Sequence, residues 1–140
     1  MSPSDAQIRQ ILETASTIAI VGLSDKPDRD SYHVAEYLQS HGYRVIPVNP
    51  TVDTVLGEKS YVRAADIPET IDIVDVFRKP DSAMAVVADA IETGARVVWM
   101  QLGVVNQEAA EKAEAAGLQV VMDRCIKIEH RRLLGQDPPA

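Results

Sequence analysis

The stretch Ile18-Ala19-Ile20-Val21-Gly22-Leu23-Ser24-Asp25-Lys26-Pro27-Asp28-Arg29-Asp30-Ser31 decides the fold. An apolar run of strand length stops at a glycine and passes through a charged loop into a helical pattern that reaches Leu38. A buried strand that feeds a helix in this way opens an α/β sheet able to hold a phosphate at the helix N-terminus. Small loop residues offer backbone N–H groups, and Lys26 and Arg29 offer positive charge in a chain that is otherwise acidic. A dinucleotide fingerprint would read G-x-G-x-x-G here, but Ser24 and Pro27 stand where its second and third glycines belong. The same residues also fit a plain strand-to-helix connection with solvated charges, so the stretch alone leaves both readings open.

Upstream, Ser4-Asp5-Ala6-Gln7 has the form of a capping box, and Ile8, Ile11, Leu12 and Ala15 follow at helical spacing. This predicts an amphipathic helix over residues 4–15 that covers the sheet and carries no chemistry. Downstream, Val34, Ala35 and Leu38 form one apolar face, Gly42 supplies the helix stop, and Tyr43–Val48 reads as a second strand. The pattern repeats twice. Pro80–Thr93, with Met84, Val87, Ala88 and Ile91 on one face, ends at Gly94 before the strand Ala95–Met100. Asn106 caps a helix bearing Ala109, Ala113 and Ala116, which ends at Gly117 before the strand Leu118–Met122. Strands that are nearly all apolar are parallel and buried on both faces. With Ile71–Phe77 they predict a Rossmann-like, doubly wound α/β fold whose mainly parallel sheet has five strands and helices on both faces.

Asn49–Pro68 breaks the alternation and reads as a long connection with a minor edge strand or a helical turn. The expected domain is single, 1–140, with a core over 18–122 and a C-terminal segment, 123–140, that forms a short helix before Gly135–Ala140 frays.

With 140 residues, 46% of them hydrophobic and 25% charged, the chain can bury a substantial core. A net charge of −7 opposes nucleic-acid binding, which draws on excess Lys and Arg. A small anion needs only a local basic cluster. No apolar run approaches the ~20 residues of a membrane span, and the first residues lack a signal-peptide layout, so the expected location is cytoplasmic. One cysteine, Cys125, and three histidines exclude a multi-cysteine metal site.

Ligands of open parallel sheets lie outside the carboxyl ends of the strands. Those ends place Gly22–Ser31, Pro47-Val48-Asn49-Pro50, Phe77-Arg78-Lys79-Pro80 and Gln101-Leu102-Gly103 around one crevice, and Lys26, Arg29, Arg78 and Lys79 form its phosphate cluster. An NAD site wants an acidic residue after the second strand, and this chain has Asn49-Pro50. Catalytic groups do not assemble. His33 reads as a surface or capping residue, and Cys125 as a small buried residue on a different helix face from His130. Asp72 and Asp75 lie on opposite faces of a strand, Asp75 as a hydrogen-bonded group at a sheet edge. Glu129 reads as a solvated or ion-paired carboxylate, and Trp99 and Phe77 as core.

Taken together, Val21-Gly22-Leu23-Ser24, Arg29 with Ser31, Gly42–Pro50, Leu56-Gly57-Glu58, Asp75-Val76-Phe77-Arg78, Trp99–Gly103 and Met122–Glu129 resemble the small stand-alone CoA-binding proteins of bacteria and archaea. These are similar to the N-terminal domain of the succinyl-CoA synthetase α subunit. The resemblance implies that coenzyme A or a short acyl-CoA is the ligand, and no metal is implied. Gly22, Leu23, Ser24, Lys26 and Arg29 would then meet the phosphates, and Pro47, Val48 and Asn49 would wall the adenosine. Phe77 and Arg78 would flank the nucleotide, while Gln101, Leu102 and Gly103 would lie toward the pantetheine. The synthetase's phosphorylated histidine and grasp domain have no counterpart in these residues, so ligase activity does not carry over. Two classes fit: a non-catalytic CoA-binding or sensor module, and an oxidoreductase or transferase using NAD(P) or acyl-CoA in the same crevice.

Overall fold

Ser4 and Gln7 form the capping box that starts the first helix: the Gln7 N–H donates to Ser4 Oγ at 3.2 Å and the Ser4 N–H to Gln7 Oε1 at 2.7 Å. In the computed structural model, which describes residues 3–135, this helix is α1, Asp5–Thr14, and it buries Ile8, Ile11 and Leu12. There follow β1 (Thr17–Val21), α2 (Asp30–Ser40), β2 (Arg44–Val48), the short strands β3 (Thr54–Val55) and β4 (Glu58–Lys59), and β5 (Ile73–Val76). Then come α3 (Ala83–Thr93), β6 (Val97–Met100), α4 (Gln107–Ala115), β7 (Gln119–Val121) and α5 (Ile126–Leu134).

The main sheet has the order β2-β1-β5-β6-β7 and every neighbouring pair is parallel. This is the expected five-stranded Rossmann-like fold. Alternate strand residues enter two separate cores, one under α3 and α4 (Val74, Val76, Val98, Met100) and one under α1, α2 and α5 (Ile18, Ile20, Ile73, Trp99). Among the described residues no helix is long and apolar enough to cross a membrane.

Three expectations are corrected. Asp75 is not at an edge: it lies between Ile20 of β1 and Trp99 of β6 in the central strand, fully buried, and neither carboxylate oxygen has a hydrogen-bond partner. Burial holds its pKa well above the ordinary 3.8. α3 buries Ala83, Val86, Val87 and Ala90, with Met84 and Ile91 only flanking, because small side chains let the helix approach the sheet closely. Ala116 is exposed at the end of α4 rather than buried with Ala109 and Ala113. The expected fraying at 136–140 lies outside the described residues.

Asn49–Pro68 holds a two-stranded antiparallel hairpin, turned by Leu56 and Gly57 at φ 52° and 81°. Tyr61 then forms a parallel bridge to Val48 and donates its N–H to the Pro47 carbonyl at 3.0 Å, which covers the outer edge of β2. Asp72 stands just before β5, which starts two residues later than expected. Its Oδ2 accepts from the Ser16 and Thr17 N–H groups at 2.8 and 3.0 Å, and Oδ1 pairs with Arg96 at 3.1 Å. Partial burial alone would raise this carboxyl, but these donors outweigh it and hold the pKa below the ordinary value.

Candidate functional site

Every parallel strand points its carboxyl end at the same side of the sheet, and the chain must leave β1 there without colliding with its neighbours. Gly22 makes that possible. Its φ is +90°, its N–H donates to the Val48 carbonyl at 2.9 Å, and a Cβ at this position would lie 2.1 Å from the Phe77 oxygen. The same Cβ position is 3.4 Å from Arg78 Cδ, so Arg78 folds against the start of the first loop.

In that loop Ser31 Oγ accepts the Ser24 N–H at 3.0 Å, and Ser24 Oγ accepts the Lys26 N–H at 3.1 Å. Lys26 and Arg29 are exposed, and Arg29 is the N-cap residue of α2. Leu23 is fully buried, and its carbonyl accepts Asn49 Nδ2 at 3.0 Å. Asn49 Oδ1 accepts from the Thr51 N–H and hydroxyl at 3.0 and 2.7 Å, so the amide at the end of β2 is committed on both sides. Pro47 and Val48 are buried within β2.

Beyond β5 and β6 a cleft of ≈440 Å³ opens between α2 and α5. Asp30, His33 and Val34 line it from α2, Phe77, Gln101 and Leu102 from the strand ends, and Cys125, Lys127, Ile128 and Arg131 from the C-terminal segment. Gln101 is 3% exposed and its Oε1 accepts the Ile126 N–H at 3.0 Å, which anchors the first turn of α5 to the end of β6. Gly103 donates its N–H to Asp123 Oδ1 at 2.8 Å. A neighbouring cleft of ≈460 Å³ shares Leu102, Cys125 and Ile128 with the first. Cys125 is half-buried in the walls of both, not a sealed core residue.

Of the residues expected at the strand ends, Phe77, Gln101 and Leu102 meet in the first cleft, while Gly22, Leu23, Ser24, Lys26, Arg29, Arg78, Pro47, Val48, Asn49 and Gly103 stand outside its lining. The wall from α5 is what sequence reasoning missed. Its signal was available in Lys127 and Arg131, four apart and hence on one helix face. Both cations lie over the Tyr37 ring, at 5.6 and 5.4 Å, and among the described residues neither pairs with a carboxylate.

α5 is held from behind. His130 is buried, its Nδ1 lies 2.7 Å from Tyr37 Oη, and its ring meets Tyr43 and His41 edge-on. Burial, then the nearby His41, lowers its pKa. Tyr43 donates its hydroxyl to the Leu12 carbonyl, and burial pushes its pKa to about 12. Glu129 is 6% exposed and pairs with Arg124 at 3.0 Å and Arg132 at 2.6 Å, so it is the ion-paired carboxylate that the sequence allowed. At the opposite end of the sheet a hollow of ≈150 Å³ beside Asp72 and Arg96 has those two groups already paired. Among the described residues no group of His, Cys, Asp and Glu is placed to hold a metal.

The chain is 46% identical over 129 residues to the uncharacterized protein YneT of Bacillus subtilis, an alignment covering 92% of this chain and 96% of that one. It superposes on a hypothetical protein of Pyrococcus horikoshii with a TM-score of 0.93 and 50% identity, covering 95% and 94% of the two chains. It is also 25% identical over 124 residues to the ADP-forming 4-hydroxybutyrate–CoA ligase of Nitrosopumilus maritimus, where the match covers 80% of this chain and only 18% of the ligase. The family described as the CoA binding domain matches residues 16–131, nearly the whole of the α/β unit around the crevice, and the chain belongs to that family.

Proposed function

We propose that this protein binds coenzyme A, free or acylated, at the carboxyl ends of its parallel strands and acts as a non-catalytic binding or sensor module. The observation that carries the reading is that cations of separate elements follow strand ends on one side of the sheet: Arg78 packed on Gly22 after β5, Lys26 and Arg29 before α2, and on α5 Lys127 and Arg131, the two of them that line the first cleft. Coenzyme A brings several phosphate charges, and phosphate is held by such charge-assisted contacts. Gly22, Ser24, Lys26, Arg29 and Arg78 face the phosphates in this reading. Leu23 and Val48 contribute backbone only, since their side chains are in the core. Pro47 and Asn49 stand beside the adenosine, and Phe77, Gln101, Leu102 and Gly103 line the way taken by the pantetheine.

NAD fits less well. The β2 end carries no carboxylate for the ribose hydroxyls, and the Asn49 amide is occupied by Leu23 and Thr51. Calorimetric titration should therefore show binding of CoA and none of NAD. Arg78→Ala should weaken CoA by about 10–100-fold, the worth of a charge-assisted contact of roughly 1.5–3 kcal/mol, and the effect should shrink at high salt. Lys112→Ala is the control, an exposed cation on α4. Arg132 is unsuited to that role because it holds both Glu129 and Asp5. Equal effects of the two variants, or equal binding of NAD, would overturn the reading.

Asp30, His33 and Cys125 all line the first cleft, but among the described residues no hydrogen bond or ion pair joins any two of them into a nucleophile, base and orienting group. Free thiol released from acetyl-CoA should accordingly stay at the uncatalysed rate when the protein is added. Release that His33→Ala or Cys125→Ser abolishes would make the protein an enzyme.

A further inference from the structure

Four large apolar side chains are strongly exposed among the described residues: Val62 at 63%, Leu102 at 65%, Val105 at 50% and Ile128 at 56%. Three of them, Leu102, Val105 and Ile128, line the second cleft together with Met122. Singly such residues are ordinary; gathered around one hollow they mark a surface that something apolar covers.

The polar groups of this cleft are already engaged. Arg124 pairs with Glu129 at 3.0 Å, Glu129 also receives Arg132, and Asp123 accepts the Gly103 N–H. The first cleft is the reverse, with Lys127 and Arg131 unpaired with any carboxylate among the described residues. The two hollows join at Leu102, Cys125 and Ile128. A single ligand that fills both must be anionic at one end and apolar at the other.

Resting on the reading of this site as a CoA site, we propose that the second cleft receives the hydrocarbon chain of an acyl-CoA, so that the preferred ligand carries a medium-length acyl group instead of a free thiol or acetyl. The nucleotide lies toward the cations, the thioester passes the shared wall at Leu102, and the acyl chain lies across Val105, Met122 and Ile128.

The test is calorimetric titration of the protein with CoA and with acetyl-, butyryl-, hexanoyl- and octanoyl-CoA. Each methylene laid on an open apolar wall is expected to tighten binding about twofold, below the fourfold of complete burial. Hexanoyl-CoA should therefore bind at least about tenfold more tightly than acetyl-CoA. Val105→Asp changes a side chain that lines the second cleft and not the first. The ratio of the CoA and hexanoyl-CoA Kd values, measured on that same variant, should fall toward one, with its melting curve confirming the fold. If CoA binds and chain length makes no difference, this proposal is overturned while the CoA reading stands. If neither CoA nor any acyl-CoA binds, the CoA reading itself fails. If sedimentation finds a dimer that Val105→Asp dissociates, and chain length still makes no difference, the apolar rim belongs to self-association and the proposal is again overturned.

Discussion

Gly22→Ala should lower the unfolding free energy by roughly 2–5 kcal/mol, the sum of a left-handed backbone at about 1–2 kcal/mol and a steric collision at about 1–3 kcal/mol. Against a typical total of about 5–15 kcal/mol this removes much of the fold's stability. The collision is with backbone: the Phe77 carbonyl oxygen would be 2.1 Å from the new methyl, and Phe77 directly follows the central strand of the sheet. Gly117 is the comparison, because its φ is also +90° but a Cβ there meets nothing within 4 Å. Gly117→Ala should cost only the torsional part, about 1–2 kcal/mol. Urea unfolding of the two variants separates the contributions. Equal losses would mean that the Phe77 carbonyl does not constrain this corner.

Asp75→Val should make the protein more stable, by more than about 2 kcal/mol at pH 7. Neither Asp75 oxygen has a partner, and a carboxyl without one is costly to bury even when neutral. The sign of the pH dependence follows from the raised pKa. The folded protein keeps this proton at pH values where the unfolded chain, near 3.8, has released it. Stability therefore falls as pH rises above that value, by about 1.4 kcal/mol per unit, until the folded-state pKa is reached. Below pH 3.8 this penalty vanishes. Asp75→Asn should remove the slope and keep the polar burial cost, whereas Asp75→Val should remove both. Denaturation across pH 4–8 reads the difference directly, and parallel curves for parent and Val variant would refute it.

The sheet was legible because parallel strands are buried on both faces, so their apolar runs are unbroken and easily separated from the helices. Strand order was not. Alternation put Asp72 and Asp75 on opposite faces, but only the placement of β5 between β1 and β6 makes Asp75 a fully buried carboxylate instead of an edge group. The buried face of α3 was misplaced because hydropathy favours Met84 and Ile91, whereas close packing on the sheet favours Ala83 and Ala90. For the site, the strand ends located the crevice, but its far wall is a helix that follows the last strand. Nothing local to Ile126–Leu134 says which sheet face that helix covers. The answer lies in long-range contacts: Gln101 to the Ile126 N–H, Tyr37 to His130, and Arg132 to Asp5.

The last of these contacts joins residues 127 positions apart: two hydrogen bonds of 2.8 and 2.9 Å link the first helix to the final one. Topologically residues 5–132 are almost a ring. A short tether between Asp5 and Arg132 would bridge little space, and loop closure over short spans carries a small entropic cost. The order of the elements along the polymer is thus nearly independent of their arrangement in space. A chain tethered between Asp5 and Arg132 can be cut at an exposed turn such as Ala116-Gly117, making β7 the opening strand, with the sheet and both clefts assembled from the same parts.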